Sequence, residues 1–486
     1  MVNRLKSIWL NLSSSLGFFP GLIVLGFGLL GVVLVEVDRR TQLKGMEYLF
    51  GGDGSAARTV LSVIAGSLIT VAGLTFSITM VVLQLASSQF SPRILRTFFS
   101  DRLTQITIGS YVGIFVYSIL VLRAVGGFTT SGFVPRVSVT VASALGIAAV
   151  CLLIAFLHHV SQMVQVSQVT ARLARSSLAK TDELYPADPA ERDESDGRRD
   201  PAEPVAEYAA VLADWQRQPG GSVRPTRPGY LQRVSVEDLL EELDGKVDRV
   251  AVTVTPGDFI GVESPVIELW PAAAAEACQR SVRSAISVNS QRDLDQDVDF
   301  GLRQLSDIAL KAMSPGINDP MTAVTSISYI RQILIRLAGS TPLPTLIHGE
   351  KGLTMLVRRR GFEEYLESLL QINRYVNGDA WVAGELMVSL TDCVRELRSA
   401  AERIGPQALT DRLAELRAAA GAVAEQSLAE VVTERDRARI AAVRSDFDQA
   451  CADVPLTSWL RPGPARSAAR PLEGAPGRPV DASGHR

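Results

Sequence analysis

The sequence predicts a mainly α protein: four transmembrane helices, then a cytosolic part with a small β unit and an α-helical domain. Four runs, at 18–37, 59–89, 103–122 and 137–157, are apolar, and each matches the roughly 20 residues that cross a bilayer's hydrocarbon core. Past Tyr230 the pattern alternates, as in Val250, Val252 and Val254, with a turn at Pro256-Gly257-Asp258. From Ala272 the period becomes helical and stays so to about Leu460.

The second span organises the chain. No charged side chain lies between Arg58 and Arg93, which allows a helix of roughly 30 residues, about 45 Å long. Thr70, Ser77, Gln84 and Ser91 recur every seventh residue, beside Gly66, Gly73, Met80 and Ser87 at the same interval. Together they form a small-and-polar seam at a/d-like spacing. Such a seam serves close packing against another helix, or lines a wet pathway when copies assemble. No intramembrane charge supports the wet reading, so packing is the first expectation.

The other elements follow in order. Residues 1–17 carry Arg4 and Lys6 but no small-residue cleavage site, so 18–37 is read as a retained span. Its glycines (Gly21, Gly26, Gly28, Gly31) suit close helix contacts. A polar loop with Gly51, Gly52 and Gly54 leads to the second span, and Arg93, Arg96 and Arg102 lead to the third. A glycine-rich hairpin, Gly126 to Pro135, precedes the fourth. Eight basic residues flank the inner side and six the outer when both termini are placed in the cytoplasm, a weak positive-inside bias that sets the expected orientation. His158 and His159 point about 100° apart on a helix and are expected to be structural rather than a metal pair.

After the spans, 161–184 is expected to continue the fourth helix as a stalk. Residues 185–229, rich in proline, acid and arginine, read as a flexible linker with a short helix near Val205–Trp215. The β unit is assigned to 230–271. It is similar to the hammerhead of biotinyl- and lipoyl-type domains but has no lysine on a tight turn, so it is expected to be a structural adaptor. The α-helical domain takes 272–460, and 461–486, rich in Pro, Gly, Ala and Arg, is expected to be a disordered tail.

Composition narrows the function classes. The chain has 486 residues, 47 % of them hydrophobic, and a net charge of −3, which disfavours a nucleic-acid partner. Cys151, Cys278, Cys393 and Cys451 lie far apart, with no CxxC and no Cys/His cluster, a pattern of reduced structural thiols rather than of zinc or disulfides. No phosphate loop, HExxH, nucleophile elbow, kinase set or dinucleotide fingerprint occurs. No enzyme activity and no cofactor are expected.

The densest soluble signature is RDLDQDVDFGLRQLSDIALKAMSPGINDPMTA, residues 292–323. Alternating Asp293, Asp295, Asp297 and Asp299 invite calcium, but an EF-hand loop needs glycine at its sixth position and glutamate at its twelfth. Neither register supplies them. The alternative is a helix from about Leu294 to Ala312, with acids at its positive end and an Asp299, Arg303, Asp307 ladder. Its buried face would be Leu302, Leu305, Ile308 and Ala309. Ser314, Pro315, Gly316 and Asn318 form the connector, Asp319 caps the next helix and Pro320 fills its first turn. Ala323, Ile327, Ile330 and Leu334 form that helix's apolar stripe. Arg292, Gln296 and the residues just named are treated as structural.

This segment, with FSITMVVLQLASSQFSPRILRTFFSD from the second span and its exit, resembles a bacterial membrane-protein family known as domain of unknown function 2254. The resemblance covers roughly residues 10–455. It implies four N-terminal spans and a soluble C-terminal part in a bacterial plasma (inner) membrane, and it implies no activity. The expected partners are the lipid bilayer, further copies of the chain in a homo-oligomer, and a protein bound by the cytosolic domain. Two functions remain open: an oligomeric channel or transporter whose axis the second span lines, and a membrane-anchored scaffold or envelope sensor.

Overall fold

The computed structural model describes residues 17–41, 50–89, 101–125, 133–163, 165–186 and 208–454. Four of its helices are long and apolar enough to cross a membrane: α1 (Phe18–Thr41), α2 (Gly54–Gln89), α3 (Arg102–Ala124) and α4 (Arg136–Met163). The 36 residues of α2 make it about 54 Å long at 1.5 Å per residue, well beyond a hydrocarbon core of about 30 Å.

The packing centre is α3, not α2. Half of the α3 span is buried, against 22 % for α2 and α4 and 11 % for α1. Two α3 glycines four apart create the closest approach. A Cβ on Gly109 would stand 2.8 Å from Pro20 Cα, and one on Gly113 would run into the Phe27 ring. In α1 only Gly28 and Gly31 turn toward α3, while Gly21 and Gly26 face open space. Asp38, at the far end of α1, caps α4: its carboxylate accepts from Val137 N at 3.0 Å and Ser138 N at 2.9 Å. A carboxylate there offsets the positive end of α4 and its unpaired amides. At the other membrane edge His159 pairs with Asp101 at 2.9 Å, and Asp101 also caps α3 through Thr104 N. The two histidines are thus divided, since His158 meets Gln162.

The expected stalk is a separate helix. The chain turns extended at Gln165 and restarts as α5 (Val166–Leu184). Thr170, Leu173, Ala174, Ser177 and Thr181 form its buried face, and that face packs on α9 (Val298–Ala312) and α10 (Pro320–Gly339). Docking, not continuation of α4, sets its course. The linker is also shorter than expected. Residues 187–207 and the tail from 455 lie outside the described residues, but α6 (Tyr208–Trp215) is fastened to a sheet. Trp215 meets Trp270 edge to face at 5.6 Å, and Tyr208 Oη donates to Val252 O at 3.0 Å.

The β unit extends past 230–271 on both sides. One sheet has the order β1 (Gly221–Val223), β5 (Ile267–Trp270), β3 (Arg249–Val252), β8 (Thr354–Val357), β7 (Leu346–His348). Within it β3 and β8 are parallel, with Arg249 opposite Thr354, and all other neighbours are antiparallel. A second sheet joins β4 (Phe259–Ile260), β2 (Gly229–Val234) and β6 (Ile286–Asn289). Strand β5 starts only at Ile267, after the chain turns at 261–264. Helices α7 (Val236–Leu243) and α8 (Ala274–Ala285) cover this module, Cys278 and Val282 entering its core. The region 272–460 is therefore not wholly helical. Strands β6, β7 and β8 arise inside it and return to the sheets.

The helical core joins α5, α9, α10, α11 (Phe362–Asn373), α12 (Ala380–Ile404), α13 (Pro406–Glu430) and α14 (Glu434–Ala452). Leu302, Leu305, Ile308 and Ala309 of α9 and Ala323, Ile327, Ile330 and Leu334 of α10 are all buried in it. Leu83, near the end of α2, also packs against this core, so the long helix touches the C-terminal region directly.

Candidate functional site

Two places gather the residues singled out in the sequence. On α2, Ala57, Leu61, Ala65, Leu68, Ala72, Thr75 and Val82 form the buried face. The seam lies on the opposite side: Gly66, Thr70, Gly73, Ser77, Met80 and Gln84 are all exposed. A Cβ on Gly66 or Gly73 would meet nothing within 4 Å. No helix of the same chain among the described residues covers the seam. Thr70 Oγ1 donates to Gly66 O and Ser77 Oγ to Gly73 O, each at 2.9 Å. Ser87 belongs to the helix, and Ser91 lies outside the described residues.

The second place is a buried ion cluster built by the 292–303 segment. The helix expected from Leu294 starts only at Val298, because Asp297 is its N-cap and accepts from Phe300 N. The preceding residues instead reach sideways. Gln296 pairs with the backbone of Val234 through both ends of its amide, at 2.9 and 3.2 Å, and ties the segment to β2. Asp295 meets Lys180 of α5 at 3.6 Å. Arg292 grips Asp297 with two hydrogen bonds, at 2.7 and 2.8 Å, and Asp299 with one at 2.9 Å. Arg303 donates to Asp299 at 2.6 Å, so one carboxylate receives two guanidinium groups. Asp307, one turn on, is half-buried.

Arg360 completes the cluster. Its guanidinium lies 3.7 Å from Asp299, 3.4 Å from Glu364 and 3.5 Å from Asp258, and it donates to Pro256 O at 3.0 Å. The Pro256-Gly257-Asp258 turn, read in the sequence only as a turn, is thereby a wall of the site. Gly257 has φ +95°, and a Cβ there would collide with the Asp297 carboxylate, so this position requires glycine on both counts. Arg360 and Asp258 were invisible as partners in the sequence. The one local signal was the Arg358-Arg359-Arg360 run before the glycine that caps α11.

Burial pushes both carboxyls upward, with different outcomes. For Asp299, hydrogen bonds from Arg303 and Arg292 outweigh burial and hold it below 3.8. For Asp297, burial prevails over Arg292 and carries it to about 6. The connector completes the signature without joining the cluster. Ser314 Oγ bonds Lys311 O at 2.6 Å, Pro315 is exposed, and Asn318 turns left-handed at φ +48°. Asp319 accepts from Thr322 N at 3.1 Å and Pro320 opens α10. No group of three His, Cys, Asp or Glu residues suited to a metal occurs among the described residues. The cluster is charge-paired throughout and joins three parts: the β module, the helical core and, through Lys180, the helix that leads to the membrane spans.

The family of predicted membrane proteins called DUF2254 matches residues 13–392. The chain belongs to this family. That range holds all four spans, the seam and the ion cluster. Uncharacterized proteins of Mycobacterium tuberculosis and Mycobacterium bovis are 30 % identical to it over 419 residues, covering 84 % of this chain and 77 % of theirs. No solved structure matches. This DUF2254 chain is a membrane protein, and neither the family nor these relatives carries a named activity.

Proposed function

We propose that this DUF2254 protein is an oligomeric, channel- or transporter-like protein of the bacterial plasma membrane, with its C-terminal region in the cytosol. The observation that carries the reading is the direction of the α2 seam. Five small or polar positions, Gly66, Thr70, Gly73, Ser77 and Gln84, with Met80 among them, are spaced at alternating three and four residues and face away from the rest of the described chain. A left-handed pairing of second copies along that period suits a seven-residue repeat. Small residues let helices approach where lipid supplies no hydrophobic drive. Four spans are few for a monomeric pathway, so the axis would be shared between copies. Contact between Leu83 and the helical core would let that region act on the same helix.

Flux of ions and small solutes into proteoliposomes tests this, comparing the natural chain with Ser77→Leu and Gln84→Leu. The expected result is measurable flux that each leucine lowers at least about tenfold, or about 1.4 kcal/mol, with the oligomer intact. Absence of flux under every ion, pH and osmotic gradient would remove the channel reading.

One observation favours the scaffold or sensor alternative. The Thr70 and Ser77 hydroxyls are already bonded within their own helix, as in a dry seam. In a Cys151→Ala background, Thr70→Cys and Ser77→Cys distinguish the two. Labelling by a membrane-impermeant thiol reagent marks a wet seam, and protection marks a dry one.

A further inference from the structure

The helical core carries its exposed large apolar side chains at its interhelix connections. Among the described residues they are Ile317 and Met321 at the α9–α10 connection, Tyr375 and Trp381 at α11–α12, and Leu428 and Val432 at α13–α14. Exposure reaches 60 % at Met321 and 88 % at Val432. The others outside the spans, Phe259 and Val262, belong to the β module.

Packing brings these three connections to one end of the core. Helices α10 and α12 run parallel: Ser328 donates to Glu385 at 3.1 Å, Arg331 meets Asp392 at 3.7 Å, and Arg403 donates to Gly339 O at 2.7 Å. Their starts, with Met321 and Trp381, therefore share a side. The end of α13 is tied to the same place, because Gly378 N donates to Glu430 at 3.1 Å and Asn373 donates to Gln426 at 2.9 Å.

That end is the one nearest the spans. Helix α5 begins at Val166, three residues after α4 ends at Met163. Farther along α5, Ser177 abuts Gly301 of α9, Lys180 meets Asp295 at 3.6 Å, and Asp182 meets Arg336 of α10 at 2.7 Å. So α5 runs antiparallel to α9. Eleven residues back from Ser177 and eleven on from Gly301, about 16 Å along each helix, Val166 comes level with Ala312. The α9–α10 connection thus lies beside the exit of α4. Helix α2 leads to the same place. It runs parallel to α4, since Phe50 N donates to Thr140 at 2.9 Å and a Cβ on Gly146 would stand 3.7 Å from Ile64. Nineteen residues beyond that contact Leu83 reaches the level of Gln165, and Leu83 packs on the core.

We propose that this end of the helical core rests on the bilayer, its six apolar side chains inserted at the lipid interface of the leaflet from which α4 emerges. Exposed apolar side chains gathered on one surface mark a membrane or protein contact, and continuity with the spans selects the membrane. Trp381 and Tyr375 fit the headgroup level, where such amphipathic rings concentrate. The signature connector, which does not join the ion cluster, acquires a role here. Asn318 turns left-handed at φ +48° and Asp319 caps α10, and the turn leaves Ile317 and Met321 outside the core. The inference needs α4 to span the membrane and is independent of whether α2 lines a pathway.

Fluorescence quenching tests it, with the full chain in phosphatidylcholine nanodiscs. Cys151→Ala removes the exposed thiol, and Cys278, Cys393 and Cys451 are buried. In that background Met321→Cys and Val432→Cys each take a bimane label. Phe259→Cys is the aqueous control: that position is 66 % exposed and lies two residues from Gly257, which packs on Asp297 at the opposite end of α9. Phosphatidylcholine with a nitroxide near the top of its acyl chain should quench the labels at positions 321 and 432 at least about threefold more than at 259, as for groups seated at the headgroup boundary. Iodide in the water should quench them at least about threefold less. Equal iodide quenching at all three positions overturns the proposal. So does protection of 321 and 432 from both quenchers, which would give this face to protein, either a second copy or another part of the chain.

Discussion

Asp299→Ala should destabilise the C-terminal region by about 3–5 kcal/mol, the range for removing one partner of a buried ion pair. The Asp299 side chain has no exposed surface, and Arg292 and Arg303 reach it at 2.9 and 2.6 Å with Arg360 at 3.7 Å. Removing the carboxylate leaves three guanidinium groups facing one another with Asp297 as the remaining buried acid. At about 2–4 °C per kcal/mol for a region of this size, the unfolding midpoint should fall by roughly 10 °C. Asp295→Ala is the matched control: that side chain is 60 % exposed and meets Lys180 at 3.6 Å, so its change should stay within about 0.5 kcal/mol. Thermal unfolding of the detergent-solubilised chain reads both. A loss below about 1 kcal/mol for Asp299→Ala would mean that the carboxylate adds no net stability to the cluster.

The pH dependence has opposite signs at the two acids. Asp299 is held below its usual value, so its contribution is present above pH 3.8 and is lost as pH falls through its folded value. Asp297 is raised to about 6, so the folded state holds its proton more tightly. Its contribution therefore declines as pH rises from about 4 to about 6.

The second large effect concerns the attachment of α5. Gly301 of α9 faces Ser177 of α5 so closely that an added Cβ would stand 2.8 Å from Ser177 Cβ and closer still to its hydroxyl. Gly301→Val should cost about 3 kcal/mol by overpacking. Gly301→Ala should cost less, because alanine recovers about 1 kcal/mol of helix propensity. Combining Gly301→Ala with Ser177→Gly removes the atoms that collide, and the pair should show a favourable coupling of about 1 kcal/mol or more. The direct reading is limited proteolysis within 165–186, which should accelerate strongly in Gly301→Val and less in Gly301→Ala, and return toward the natural rate when Ser177→Gly is added to Gly301→Ala. Additive effects would place the strain elsewhere, for instance at Leu294, whose Cδ2 would be 3.1 Å away. Because α5 links α4 to the helical core, this variant separates membrane insertion from attachment of the C-terminal region.

Much of the local structure was legible because its causes lie within a few residues. Apolar length marked the four spans. A capping aspartate followed by proline marked the start of α10 at Asp319-Pro320, since the cap bond runs to an amide three residues on. The three-to-four spacing of Leu302, Leu305, Ile308 and Ala309 placed the buried face of α9. The same sequence shows the α2 seam as a pattern but not its direction, which depends on where α1, α3 and α4 pack. The tertiary structure turned that seam outward and gave the central position to α3, whose Gly109 and Gly113 carried no distinguishing mark among the many glycines of the spans. It also ended α4 at Met163, with no proline or glycine to announce the break, because the small face of α5 finds α9 and α10. Pairing of β3 with β8 joins Arg249 to Thr354 across more than 100 residues, and the Asp299 cluster gathers Arg360 from outside the signature. Sequence spacing reports neighbours along one helix or strand. Partners brought together by chain closure are chosen by the shape and charge of surfaces that exist only once the core has formed.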